Sequence, residues 1–87
     1  MLATCSGTGF QQPSITWTHN GQPLKNNSRI TIYENATEED GGLTFVFSML
    51  EVCSVRVSDD GLYECIVANR FVSDSANFTL TVRGELS

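Results

Sequence analysis

Short runs of alternating apolar and polar residues follow one another along the chain, and turn-forming residues separate them. A period of two is typical of β-strands with one buried face, and no long window shows the three-to-four spacing of a helix. The pattern predicts strands over SITWTH (14–19), RITIYE (29–34), LTFVFSMLEVCSV (43–55), LYECIVAN (62–69) and SANFTLTV (75–82). Short strands at such intervals predict an antiparallel sandwich or barrel.

Two connections between these runs are predicted from their composition. Asn20 and Gly21 follow the first run, and the Asn-Gly pair favours a tight hairpin turn. NATEEDGG (35–42) is interpreted as an acidic loop that ends in glycine, and its carboxylates are solvated rather than metal-binding.

The length and the net charge of the chain limit the classes of protein to which it can belong. The 87 residues predict a single domain over residues 1–87. A net charge of −5 with scattered basic residues disfavours nucleic acid and anionic membranes as partners. No apolar run approaches the ~20 residues that span a bilayer. The start, MLATCSG, lacks the apolar run of a signal peptide, so we expect a secreted chain of this sequence to be part of something larger.

One further pattern combines cysteine, tryptophan and an alternating motif. Cys5, Trp17 and Cys65 are spaced like the Cys–Trp–Cys of a seven-strand sandwich. Together with NGQPL (20–24), LEVCSVRVSDDGLYEC (50–65), Asn69 and residues 80–82, they make the chain resemble the immunoglobulin superfamily, in particular its I-set or C2-like members. The resemblance covers nearly the whole chain and implies an all-β, immunoglobulin-like antiparallel Greek-key sandwich.

The resemblance also implies roles for the alternating residues of DDGLYEC (59–65). Cys65 is expected to form a disulfide with Cys5 across the two sheets, with Trp17 packed on the sulfurs. Closing a loop of about sixty residues stabilises the fold by about 4 kcal/mol and implies an oxidising compartment. Leu50 and Val52 are expected in the core, with Val55 also pointing inward.

The same motif is expected to close one end of the sandwich. The Tyr63 hydroxyl would bond back to the backbone near Asp59, and Gly61 would let the turn pass close to its neighbour. Asp59 would form an ion pair with Arg29. These roles are structural, and none of them implies catalysis.

The chain departs from the family pattern at its start and in its third predicted run, LTFVFSMLEVCSV (43–55). Only MLAT precedes Cys5 here, so we expect most of strand A to be absent, through truncation or an isoform, and a sheet edge to be left free. If Leu50 faces inward, then Phe45, Phe47 and Met49 face outward. Either a bulge returns some of these side chains to the core, or a partner or second copy covers them.

Two further departures concern single positions. The side chain of Cys53 is expected to point outward, so Cys53 is either an unpaired thiol or bonded to another chain or domain. Family members commonly carry Asn-x-x-Gly in the last hairpin, whereas here Asn69 is followed by Arg70, Phe71 and Val72, so the glycine is replaced. Either Phe71 folds onto the hairpin, or the pair contacts a partner.

Three Asn-x-Ser/Thr sequons begin at Asn26, Asn35 and Asn77. We expect at least two of them to be glycosylated, which places the protein in the extracellular space.

We predict no catalytic, metal or cofactor site, since no such motif occurs. The predicted function is non-enzymatic protein–protein recognition within a cell-surface receptor, adhesion or matrix protein. Expected partners are a protein ligand or neighbouring domains, and we also expect self-association of this fragment. A structural spacer and an intracellular, muscle-type immunoglobulin domain are the alternatives.

Overall fold

The computed structural model describes residues 1–82, except for the side chain of Asp40. Within these residues the chain forms seven strands and two short 3₁₀ turns, Asp40–Gly42 and Val57–Asp59. The strands are β1 (Leu2–Gly9), β2 (Ser14–His19), β3 (Gln22–Pro23), β4 (Ile30–Glu38), β5 (Thr44–Val52), β6 (Gly61–Ala68) and β7 (Ser73–Leu80).

The strands form two antiparallel sheets that pack face to face. One sheet has the order β1-β5-β4 and the other the order β3-β2-β6-β7. The predicted all-β sandwich is therefore confirmed. Among the described strands, β1 pairs with β5 alone, so within residues 1–82 its other edge has no partner strand.

The core lies between the sheets and consists of alternate side chains of the long strands. Its buried apolar members are Ile15, Trp17, Val46, Leu50, Val52, Tyr63 and Cys65. Leu50 and Val52 are buried at the inward positions that the family resemblance implied. Ser48, the inward residue before Leu50 on β5, is also fully buried. Its hydroxyl accepts a hydrogen bond from Trp17 Nε1 at 2.9 Å and donates one to the Tyr33 carbonyl at 2.8 Å, so the buried polar groups are paired.

The predicted boundaries hold for β2 and fail at β4. The predicted strand 29–34 continues to Glu38, so residues 35–38 are not part of the acidic loop. Three of these residues, Asn35, Ala36 and Glu38, have low strand propensity, but the segment pairs with residues 44–47 of the apolar strand β5, and this pairing outweighs local preference.

Strand β5 corrects two other expectations. It ends at Val52, and Ser54 then adopts a φ of +53°, so the alternation stops and Val55 is exposed rather than inward. The register with both neighbours is continuous from Thr44 to Glu51. There is thus no bulge in β5, and the side chains of Phe45, Phe47 and Met49 point away from the core.

Candidate interaction surfaces

The disulfide ties the two sheets together beside the core tryptophan. Cys5 of β1 and Cys65 of β6 are bonded, with their Cα atoms 6.5 Å apart. Trp17 lies directly opposite Cys65 on the neighbouring strand β2. The sequence-predicted pairing is therefore the one in the structure. Cys53 is exposed and is not part of this bond.

One end of the sandwich, the polar end, is closed by the side chains around Asp59. The Arg29 guanidinium donates two hydrogen bonds, of 2.9 and 3.2 Å, to the Asp59 carboxylate. The same carboxylate accepts the Arg56 backbone N–H at 2.7 Å. Tyr63, which is buried, donates its hydroxyl to the Asp59 carbonyl at 2.5 Å. The residues expected to meet here therefore do meet.

These contacts set the protonation behaviour of the polar end. Hydrogen bonding to Arg29 lowers the pKa of Asp59 below its ordinary value, against the opposing effect of desolvation. The bond to Asp59 in turn raises the pKa of Arg29. Desolvation raises the pKa of Tyr63, so its hydroxyl stays a donor. The network stabilises the charged carboxylate and the neutral phenol.

The hairpin turn beside this network depends on a close backbone approach. Asn20 and Gly21 have φ values of +50° and +84°, which fit the predicted Asn-Gly turn between β2 and β3. The Asn20 side chain accepts the Leu62 N–H at 2.9 Å. A Cβ on Gly61 would lie 2.5 Å from the Asn20 amide oxygen. Gly61 therefore has the expected role of admitting its neighbour.

The opposite end, the loop end, is formed by residues 10–13 and 69–72. Phe10 is 77% exposed, Phe71 69% and Val72 61%. Phe71 therefore does not fold down onto its hairpin. The Arg70 guanidinium carbon lies 5.1 Å from the centre of the Phe71 ring, within cation–π distance. Sequence reasoning missed Phe10, whose signal was a lone aromatic between Gly9 and a polar Gln-Gln pair.

Asn69 connects the two loops of the loop end. Its amide nitrogen donates to the Gln11 carbonyl at 2.9 Å. Its amide oxygen accepts the N–H groups of Phe71 and Val72 at 2.9 and 3.0 Å. A Cβ on Gly9 would lie 2.8 Å from the Asn69 amide nitrogen, so glycine is needed there. One side chain thereby fixes the backbone that carries the exposed rings.

A second apolar surface is the outer face of the three-stranded sheet. Phe45 is 39% exposed, and Phe47 and Met49 are half-buried by their neighbours on β1 and β4. Tyr33 adds a further ring, 53% exposed, opposite Met49. We call the row of Phe45, Phe47 and Met49 the β5 stripe.

All three sequon asparagines are exposed. Asn26 lies before β4, and its amide oxygen accepts the Ile32 N–H at 2.6 Å. Asn35 is on β4 and Asn77 on β7.

His19 belongs to the polar end. Its ring stacks on that of Tyr63, with the ring centres 4.4 Å apart, and its Nε2 lies 2.7 Å from the Asp60 carbonyl oxygen.

Two kinds of feature are absent from residues 1–82. No helix there is long and apolar enough to cross a membrane. No group of three or more His, Cys, Asp or Glu side chains in that part of the chain is arranged to hold a metal ion.

The two-sheet architecture, the inter-sheet disulfide and the buried tryptophan define an immunoglobulin-type sandwich. The family model of the immunoglobulin I-set domain matches residues 2–82. The chain belongs to the immunoglobulin I-set family. It is accordingly a protein-interaction or structural module.

Relatives and solved structures agree with this assignment. The chain is 35% identical to Hemicentin-1 of Homo sapiens over 91% of its length and 33% identical to smooth muscle myosin light chain kinase of Gallus gallus over 93%. It spans only 1% and 4% of these two proteins. Domain M7 of titin superposes with a TM-score of 0.64 at 26% identity, over 95% of this chain and 78% of that structure.

Proposed function

We propose that the chain is an extracellular, N-glycosylated and non-enzymatic recognition module that contacts a protein partner through its loop end. The observation that carries this proposal is the exposure of Phe10 and Phe71 on a backbone that Asn69 holds fixed. Aromatic side chains with exposed rings are the usual anchors of protein interfaces.

The fixed backbone is what distinguishes this surface from a loose loop. A loop that is already ordered loses less conformational entropy on binding, so more of the contact energy appears as affinity. Phe10, Phe71 and Val72 would fill apolar pockets of the partner. Arg70, which lies beside the Phe71 ring, would pair with a carboxylate at the rim of those pockets.

The extracellular location is supported by the chain's own chemistry. A disulfide bridges the two sheets, and such bonds persist in oxidising compartments. The three sequons are exposed, as attachment of glycans requires. A further relative, 38% identical over 76% of this chain, is the cell adhesion molecule Dscam2 of Drosophila melanogaster. Placement in a receptor, adhesion or matrix protein is part of the same proposal.

The test is binding of the secreted chain, displayed as a multimer, to a panel of cell surfaces. Replacing both rings, Phe10→Ser with Phe71→Ser, should reduce staining at least about tenfold, because two anchors are removed together. Leu62→Ser is the matched control, since Leu62 is 47% exposed at the polar end. Equal staining by the double variant and the wild type would show that the loop end is not the contact surface.

A further inference from the structure

The outer face of the three-stranded sheet is a grid of three strands with the β5 stripe in its middle row. The outward residues around the stripe are Thr4, Ser6 and Thr8 of β1, Phe45, Phe47 and Met49 of β5, and Tyr33, Asn35 and Thr37 of β4. Hydroxyl groups therefore border the stripe along β1. Beyond Met49 the next outward residue of β5 is Glu51, which pairs with Leu2 and Thr31. A row of large apolar side chains on an outer face requires a cover, because leaving it in water is unfavourable.

Asn35 occupies the central position of its own row in this grid. It is the direct cross-strand partner of Phe47, and Met49 and Phe45 are paired with the residues on either side of it, Tyr33 and Thr37. Directly opposite Cβ atoms in a sheet are about 5 Å apart and diagonal ones about 7–8 Å. Any group attached to Asn35 therefore starts within reach of all three members of the stripe.

We propose that the glycan on Asn35 folds over the β5 stripe and is its cover. The inference rests on the proposed extracellular, glycosylated state. Transfer forms a bond between Asn35 Nδ2 and the anomeric carbon of the first N-acetylglucosamine. It breaks the bond of that carbon to the diphosphate of a lipid-linked sugar donor, and the lipid diphosphate and one amide proton are released.

The Asn35 amide is suited to this reaction. Within residues 1–82 no hydrogen bond of its side chain is found, so transfer to Nδ2 breaks none. The sugar ring also matches the surface, since it presents C–H groups on one side and hydroxyls on the other. The C–H side packs on the negative face of an aromatic ring, while the hydroxyls face water or the Thr and Ser groups of β1.

The sequon on the other sheet gives a comparison within the molecule. Asn77 lies on the outer face of β7, directly opposite Glu64 rather than an aromatic ring. A glycan at Asn77 thus meets a charged cross-strand neighbour, whereas one at Asn35 meets Phe47. The same modification on the two sheets is therefore expected to have different consequences.

The experiment compares secreted wild-type protein with Asn35→Gln and Thr37→Ala, which both remove the sequon, and with Asn77→Gln as the matched control. Glycans are trimmed to one N-acetylglucosamine, and site occupancy is measured by mass spectrometry. We expect nuclear Overhauser contacts between the sugar at Asn35 and the Phe47 ring. Sedimentation should show that both Asn35-sequon variants self-associate at least about tenfold more tightly than wild type, whereas Asn77→Gln does not.

A further substitution identifies the associating surface. Phe47→Lys placed in the Asn35→Gln background should restore the monomer, because it puts a charge in the middle of the uncovered stripe. If Asn26 and Asn77 carry glycans and Asn35 does not, this inference is overturned but the proposed extracellular state is not. The inference is also overturned if the sugar on Asn35 makes no contact with the Phe47 ring, or if removing the Asn35 sequon leaves self-association unchanged. Three empty sequons would instead overturn the proposed extracellular state together with it.

Discussion

The two ends of the sandwich use asparagine, arginine and aromatic side chains for opposite purposes. At the polar end, Arg29 is bound to Asp59, and the Tyr63 ring is buried with its hydroxyl satisfied. At the loop end, Arg70 lies over Phe71, and both side chains are exposed. At the polar end the polar groups bind one another, whereas at the loop end the Arg70 cation and the Phe71 ring remain exposed.

This difference indicates a division between stability and contact. Removing a member of the polar end leaves buried partners unpaired, which is strongly destabilising. Removing an exposed ring at the loop end leaves little behind, since its surroundings are already solvated. Stability should therefore respond to one end and binding to the other, and substitutions at matched positions can test this separation.

The largest effect on stability is expected from Asp59→Ala. Asp59 is 6% exposed and accepts hydrogen bonds from Arg29 and from the Arg56 backbone. Its loss should cost about 2–3 kcal/mol and lower the melting temperature by about 8–20 °C. Calorimetry of Asp59→Ala beside the exposed neighbour Asp60→Ala measures this. A double-mutant cycle with Arg29→Ala should be non-additive; additive losses would show that the pair does not interact.

Acid should weaken the polar end in a way that depends on Asp59. Because the pKa of Asp59 is lower in the folded than in the unfolded chain, its stabilising contribution is complete above the ordinary value of 3.8. It is lost as the pH falls from that value through the lower folded pKa. Denaturant unfolding between pH 6 and about pH 2 should show this loss, and Asp59→Asn should show a shallower decline. Identical profiles would assign the acid sensitivity to other carboxylates.

Asn69→Ala tests whether the loop end is held fixed by a single side chain. The substitution removes one bond to Gln11 and two to the N–H groups of Phe71 and Val72. We expect a loss of about 1 kcal/mol, smaller than that of Asp59→Ala because the freed groups can reach water. Amide hydrogen exchange should accelerate at Phe71 and Val72 but not at Leu62, whose N–H is bonded to Asn20. Unchanged exchange at the loop end would contradict the proposed role of Asn69.

The polar end was predictable from the sequence, and the loop end was not. The resemblance to the immunoglobulin family, carried by Cys5, Trp17 and DDGLYEC (59–65), implied a partner for each of its alternating residues. The conformation around Phe71 is set instead by hydrogen bonds of the Asn69 side chain, both within the hairpin and to the distant Gln11 carbonyl, and so the departure from the family pattern left two readings of Phe71 open. For the same reason, the extension of β4 to Glu38 followed from pairing with β5 rather than from its own polar residues.

The smallest effect on stability is expected from Phe71→Ser. This substitution tests directly whether the loop end, unlike the polar end, contributes little to stability. With 69% of the residue exposed, the ring contributes little buried area, so unfolding free energy should change by less than about 0.5 kcal/mol. The Arg70 contact adds little to this, because it lies in solvent. Chemical denaturation of Phe71→Ser beside Phe78→Ser, whose half-buried ring stacks on Tyr63 at 5.3 Å, measures the contrast. Similar losses for the two variants would mean that Phe71 packs against the hairpin in solution and that the loop end also serves stability.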